Sequence, residues 1–224
     1  MRSDRRHYGD PCGIARAVDV VGERWSLLVV RELMFGPRRF GQLADGLPGI
    51  SPNVLSQRLR ELEGDGVLHR YTLEPPASVT VYELTPRGQS LEPVLVELGR
   101  WGSATPRIVG PDLSPAAMLF SLRTLFDPTV GGTATYGLQL AGEWYAVDID
   151  GPAIRITRGR RDDAVASLST DVATLRQLTM LGLRIRELEE SGRLTVTGDR
   201  RAAARFGKYF RRPQPAPPGA AAAG

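Results

Sequence analysis

A chain of 224 residues, 42% hydrophobic and 24% charged, is long enough for one large or two modest globular domains. Its 29 Lys and Arg, almost all of them Arg, outnumber 25 Asp and Glu, a mild basic excess that suits a nucleic-acid partner without requiring one. The single cysteine excludes an intramolecular disulfide, and no stretch has the form of a signal peptide or membrane span, so a cytoplasmic protein with no membrane partner is expected.

Residues 13 to 34 carry apolar side chains at helical spacing, among them Ile14, Val18, Val21, Trp25, Leu28 and Leu33. Gly22 is placed to split the run into two helices. Trp25, Leu28, Leu33 and Phe40 read as core. Phe40, Leu43 and Leu47 outline a short second helix closed by Pro48-Gly49. A third begins at Ser51. VLHRYTL and VTVYELT then alternate like antiparallel strands, joined by the turn EPPAS. Pro86 opens a last helix with Leu91, Val94, Leu95, Leu98 and Trp101 on one side. An interior Pro93 would cost that helix about 3 kcal/mol, so a kink or a later start is predicted.

The Gly- and Pro-rich stretch GSATPRIVGPDLSP has no apolar periodicity. It separates a first domain at 1–103 from a second at 114–211, with the linker proper at 104–113. The second domain reads as a helix (PAAMLFSLRTLF), four strands (TATYGLQL, EWYAVDID, AIRITRG, AVASLST) and helical DVATLRQLTML and RIRELEESG. A strand RLTVTGD and a helix RRAAARFGKYF close it, and Asp150-Gly151 marks a hairpin turn. The Pro- and Ala-rich 212–224 cannot bury a core and is expected to be a disordered tail. The fold class is therefore α+β.

The third helix carries the chemistry. Ser51 is an N-cap, Pro52 fits the first helical position, and Gly64-Asp65-Gly66 ends the helix. Leu55, Leu59 and Leu62 stack on one side as core. Asn53, Gln57 and Arg60 fall in a narrow arc opposite, with Ser56 at its edge, while Arg58 lies near the core boundary and suits a structural ion pair. Any surface helix has a polar side. This one carries amide and guanidinium donors in place of a Glu–Lys mixture, and such groups contact base edges bidentately. With a short helix and tight turn before it, and a hairpin bearing His69 and Arg70 behind it, the pattern is a winged helix-turn-helix that reads double-stranded DNA.

Three segments, CGIARAVDVVGERWSLLVVRELMFGPRRFGQL, GISPNVLSQRLRELEGDGVLHR and VYELTPRGQSLEPVLVELGRWG, closely resemble the HxlR-type winged-helix transcriptional regulators. The resemblance implies a homodimer on an inverted-repeat operator, paired through the N-terminal helix (Ile14, Val18, Val21) and the helix after the wing (Leu91, Leu95, Leu98, Trp101). The alternative for Leu91, Leu95, Leu98 and Trp101 is packing within their own domain. The resemblance places Arg38 and Arg39 by phosphates, Asn53, Ser56, Gln57 and Arg60 at the major groove, and His69 and Arg70 beside the wing, with Ser51 counted among the DNA-binding residues. The tip EPPAS has no Lys or Arg, which weakens the case for minor-groove contact there. Cys12 is either a small buried hydrophobe or a sensing thiol.

Residues from about 120 to 210 resemble the sterol-carrier-protein-like fold, through the T-D-V-A-T-L helix start and S-G-R-L-x-V-x-G-D. That fold encloses an apolar cavity. Met118, Leu119, Leu122, Leu175, Leu178, Met180, Leu181 and Phe206 then either wall a site for an apolar small-molecule effector or simply form the domain core. Two histidines without metal-ligand spacing, and no nucleophile elbow or phosphate loop, argue against an enzyme and imply no cofactor or metal. The competing functions are a DNA-binding regulator, a lipid-like ligand carrier and a protein–protein adaptor.

Overall fold

The computed structural model describes residues 8–103 and 113–211; the expected tail, and the expected linker apart from Leu113, lie outside them. The chain divides between Leu95 and Val96 into two compact units. No helix among the described residues is long and apolar enough to cross a membrane.

In the first unit, α1 (Gly13–Val21) and α2 (Ser26–Leu33) are separated at Gly22. They precede α3 (Phe40–Gly46), α4 (Pro52–Gly64) and the antiparallel pair β1 (Leu68–Thr72) and β2 (Thr80–Leu84). After α5 (Pro86–Gln89), α6 (Glu92–Ser103) runs across the division between the units. The helix expected from Pro86 thus breaks at Ser90 and Leu91. Pro93 falls in the first turn of α6, where a missing N–H forfeits no helical bond.

The core of this unit collects Val29, Val30 and Leu33 from α2, Leu43 from α3, and Leu55, Leu59 and Leu62 from α4. Leu28 does not join them. The inward side of α2 is set by Val29, Val30 and Leu33, and Leu28, out of phase with them, is 39% exposed. Gly66 turns the chain out of α4 at φ +68°, a backbone that side chains with a Cβ resist, and lets Val67 N–H reach Leu62 O at 2.9 Å. The Thr85 hydroxyl then donates to Gly66 O (2.6 Å) and accepts from Gly88 N–H (3.2 Å), closing the exit of β2 onto the end of α4.

The second unit opens with α7 (Pro115–Leu125), capped by Ser114, whose hydroxyl accepts from Ala117 N–H. β3 (Thr133–Leu140), β4 (Glu143–Asp150) and β5 (Ala153–Arg158) form a meander. β6 (Ala166–Thr170) lies parallel to β3 on its other edge, and β7 (Leu194–Gly198) completes the sheet order β5-β4-β3-β6-β7. Between β6 and β7 come α8 (Val172–Arg176), a wider π turn (Gln177–Leu181) and α9 (Ile185–Glu190). α10 (Arg200–Phe206) and a 3-10 turn (Gly207–Tyr209) close the unit.

Alternate residues of the central strands, Tyr136, Leu138 and Leu140 on β3 and Tyr145, Val147 and Ile149 on β4, are buried. Around Tyr136 the rings interlock: Phe206 lies edge-on at 5.1 Å, Tyr209 at 6.2 Å, and Phe206 meets Phe210 at 5.2 Å. The Tyr136 hydroxyl donates to Ala202 O at 3.1 Å. Burial, followed by the Tyr209 phenol, pushes its ionisation above the ordinary value of 10.0. A neutral phenol held this way contributes its full stability below pH 10, where it is protonated whether the chain is folded or not. That contribution is lost as pH rises through the raised value. The protein is therefore expected to weaken above pH 10, and Tyr136→Phe to blunt the alkaline loss in denaturant titrations while leaving the neutral-pH dependence flat.

Candidate nucleic-acid interface

α3, the turn at 47–51 and α4 make the helix-turn-helix, and β1–β2 is its wing. Ser51 caps α4 by accepting Val54 N–H at 3.3 Å; its own hydroxyl proton stays available. With Leu55, Leu59 and Leu62 at 0–2% exposure, the other side of α4 presents exposed Asn53, Gln57 and Arg60, with Ser56 half-buried beside them. Three of the four polar residues expected to face a groove are thus fully on the surface.

Two of those side chains are held in place. Gln57 Nε2 donates to Glu61 Oε1 at 3.1 Å. An ionised carboxylate only accepts, so the amide nitrogen faces Glu61 and the amide oxygen faces away. Glu61 is itself fixed by Arg58 at 2.6 Å, and Arg58 also approaches Glu23 at 3.4 Å. Arg58 is buried at 7% exposure, so the structural ion pair expected of it is present. Arg60 folds its Nε back onto Ser56 O at 3.3 Å, which leaves the two terminal nitrogens for an outside acceptor. The outcome is one amide with an open N–H and an open carbonyl, and one guanidinium fork, three residues apart on one helix.

The flanking residues divide. Arg39 is exposed at the head of α3, its N–H bonded to Gln42 Oε1 at 2.9 Å. Arg38 departs from expectation. Its backbone bridges to β2 in both directions, N–H to Tyr82 O at 3.0 Å and O from Tyr82 N–H at 2.9 Å, and it is only 9% exposed. It anchors the wing and offers phosphates little surface. His69 and Arg70 are both exposed, but adjacent strand residues point to opposite faces, so they cannot serve one surface together. His69 lies 3.7 Å from Glu83 and stacks on Tyr71 at 5.5 Å, and Arg70 Nε lies 3.5 Å from Glu63. Tyr71 shares the face of His69 by the two-residue period, a signal present in the sequence and passed over there. Burial, followed by the hydrogen bond and charge of Glu83, raises its phenol pKa.

The apolar residues expected at a dimer seam are mixed. Ile14 (76%) and Trp101 (77%) are far out in solvent, Val18 and Leu98 are exposed, Val21 and Leu91 are half-buried, and Leu95 is buried. Leu95 therefore adds no surface to a partner. Val94, not assigned there, is exposed. Cys12 is exposed, not buried, and its N–H donates to Asp10 Oδ1 at 2.8 Å. In the second unit Met118, Leu119, Leu122, Leu175, Leu178 and Phe206 are all buried, whereas Leu181 is 42% exposed. No group of three or more His, Cys, Asp or Glu among the described residues is arranged to hold a metal.

Comparison with known proteins bears on the first unit. Residues 20–107 match the model of the HxlR-like helix-turn-helix. Over 97 residues the chain is 45% identical to the uncharacterized HTH-type transcriptional regulator sll1512 of Synechocystis, covering 42% of this chain and 70% of that protein. It is 40% identical over 89 residues to the uncharacterized HTH-type transcriptional regulator YvaP of Bacillus subtilis, covering 39% and 82%. Against the uncharacterized HTH-type transcriptional regulator Rv3095 of Mycobacterium tuberculosis the figures are 42% identity over 112 residues, 50% and 70%.

Proposed function

The chain belongs to the HxlR-like helix-turn-helix family, and from that premise we propose that it is a homodimeric regulator reading an inverted-repeat DNA operator through α4. The observation that carries the reading is the outward pair Gln57 and Arg60, held by Glu61 and by Ser56 O. Their open groups match what the major groove offers, adenine N6 and N7 for the amide and guanine O6 and N7 for the guanidinium. Arg39 supplies a phosphate contact that positions without specifying. His69 and Arg70 on the wing, already beside Glu83 and Glu63, contribute less.

The deciding experiment is duplex binding by the purified full chain at graded salt. A regulator that neutralises several phosphates loses affinity by orders of magnitude between about 50 and 200 mM salt. It also prefers some genomic fragments, its own upstream region first among them, over random competitor. Binding that is flat with salt and indifferent to sequence would sink the reading in favour of a carrier or adaptor.

Two-fold reading needs two copies. Exposed Ile14 and Val18 on α1, and Val94, Leu98 and Trp101 on α6, are among the apolar groups available for self-association. Trp101→Ala is expected to weaken it by about 2 kcal/mol, roughly thirtyfold, as truncation of an interface tryptophan does. Sedimentation equilibrium reads this directly, and an unchanged association constant would move the seam elsewhere.

A further inference from the structure

Charge is spread unevenly along this chain. Six of its 29 Lys and Arg lie after Asp199 and none of its 25 Asp and Glu does, so residues 200–224 carry +6 while everything before them, 23 cations against 25 anions, carries −2. Three of the six, Arg201, Arg205 and Lys208, stand at i, i+4 and i+7 on one side of α10 and the turn continuing it, and all are exposed.

The carboxylates nearby are already engaged. Asp199 accepts the opening N–H groups of α10, from Arg201 at 2.7 Å and Ala202 at 3.3 Å. Asp127 accepts from Thr129 and pairs with Arg211 at 3.1 Å. Glu189 is taken by Arg200 at 2.6 Å, and on the sheet Arg158 has Glu143. Among the described residues Arg201, Arg205 and Lys208 have no carboxylate within 4.0 Å. Arg205 rests its guanidinium over the Tyr209 ring at 6.0 Å, which restricts it before any partner arrives.

We propose that this side of α10 is a second, sequence-independent contact to the DNA backbone, separate from the reading surface on α4. The inference rests on the DNA-binding function proposed above. Seven helical residues span about 10 Å at 1.5 Å each, and duplex DNA presents one negative charge per about 1.7 Å of axis, so the row faces several phosphates. A membrane is the poorer match. The large apolar residues of this segment, Phe206, Tyr209 and Phe210, are all buried, and the only apolar group fully on the exposed side is the methyl of Ala204, too little to enter a bilayer.

The test compares the full-length protein with Arg201→Gln/Arg205→Gln/Lys208→Gln, checked for unchanged melting, on a duplex selected from a random pool and extended by random flanks. The slope of log affinity against log salt should be shallower in the triple variant by about 0.9 per contact, up to about 2.7 for all three. The ranking of sequences should not change. Equal slopes with sequence preference intact would overturn this inference alone. A slope difference in a protein without sequence preference would uphold it and sink the reading assigned to α4. Loss of binding to anionic phosphatidylserine vesicles with the DNA slope unchanged would assign the face to lipid and overturn it. No salt-dependent duplex binding by the wild type would overturn both.

Discussion

Gln57→Ala with Arg60→Ala is expected to erase operator discrimination while the protein stays folded and still holds duplex DNA at low salt. Both residues are exposed and bonded only within α4, so their removal opens no cavity. Leu55, Leu59 and Leu62, the buried side of the same helix, are untouched. Each bidentate base contact is worth about 1–3 kcal/mol of discrimination. The pair together should therefore remove roughly 2–6 kcal/mol, between one and a half and four decades in the ratio of operator to random affinity. Arg39 and the other exposed cations remain, so residual non-specific binding and most of the salt slope should persist. The measurement is competition of a selected operator against scrambled duplex. Discrimination that survives the double replacement would mean that the reading surface lies elsewhere on the protein.

How much of this site is legible in sequence follows from the range of the interactions involved. The start of α4 at Ser51-Pro52, its apolar stripe and its polar arc are local, set by capping and a 3.6-residue period, and they are present as expected. Arg58 is local too: its position between the two arcs implies an acidic partner, and Glu61 one turn away supplies it at 2.6 Å. Arg38 is the counter-example. Its neighbours in sequence, Pro37 and Arg39, suggest a basic loop at the head of a helix. What withdraws it from the surface is a backbone bridge to Tyr82, a residue 44 positions later. His69 and Arg70 stay exposed on the wing strand, and what local sequence leaves out is what they lie against. Their carboxylate neighbours, Glu83 across the hairpin and Glu63 on α4, come from strand register and helix–strand packing that no local window contains.

The second unit divides along the same line. β3 and β4 coincide residue for residue with the alternating runs TATYGLQL and EWYAVDID. The parallel pairing of β6 with β3, which places β5 at one edge, is a tertiary choice with no sequence marker. The alternation of Phe, Leu and Met says that a surface is apolar. It does not say whether other side chains or a small molecule cover it.

Phe206→Ala separates those two possibilities. Phe206 is 0% exposed, with edge-on rings from Tyr136 at 5.1 Å and Phe210 at 5.2 Å. In a close-packed core the truncation loses the transfer free energy of the ring, both aromatic contacts and the cohesion around the resulting void, about 3–5 kcal/mol in all. Against a domain stability of about 5–15 kcal/mol, the second unit should melt well below the wild type. The first unit has its own buried set in Val29, Val30, Leu43, Leu55 and Leu62, so operator preference should outlast the loss of sheet structure followed by circular dichroism. A wall of a pre-existing cavity behaves differently, because truncation there enlarges a space already open and forfeits fewer contacts. Should Phe206→Ala lower stability by less than about 1 kcal/mol, near the bottom of the range for single substitutions, the packed core is the wrong description and Phe206 lines a cavity. Apolar ligands would then be expected to raise the melting temperature of the second unit in proportion to their occupancy.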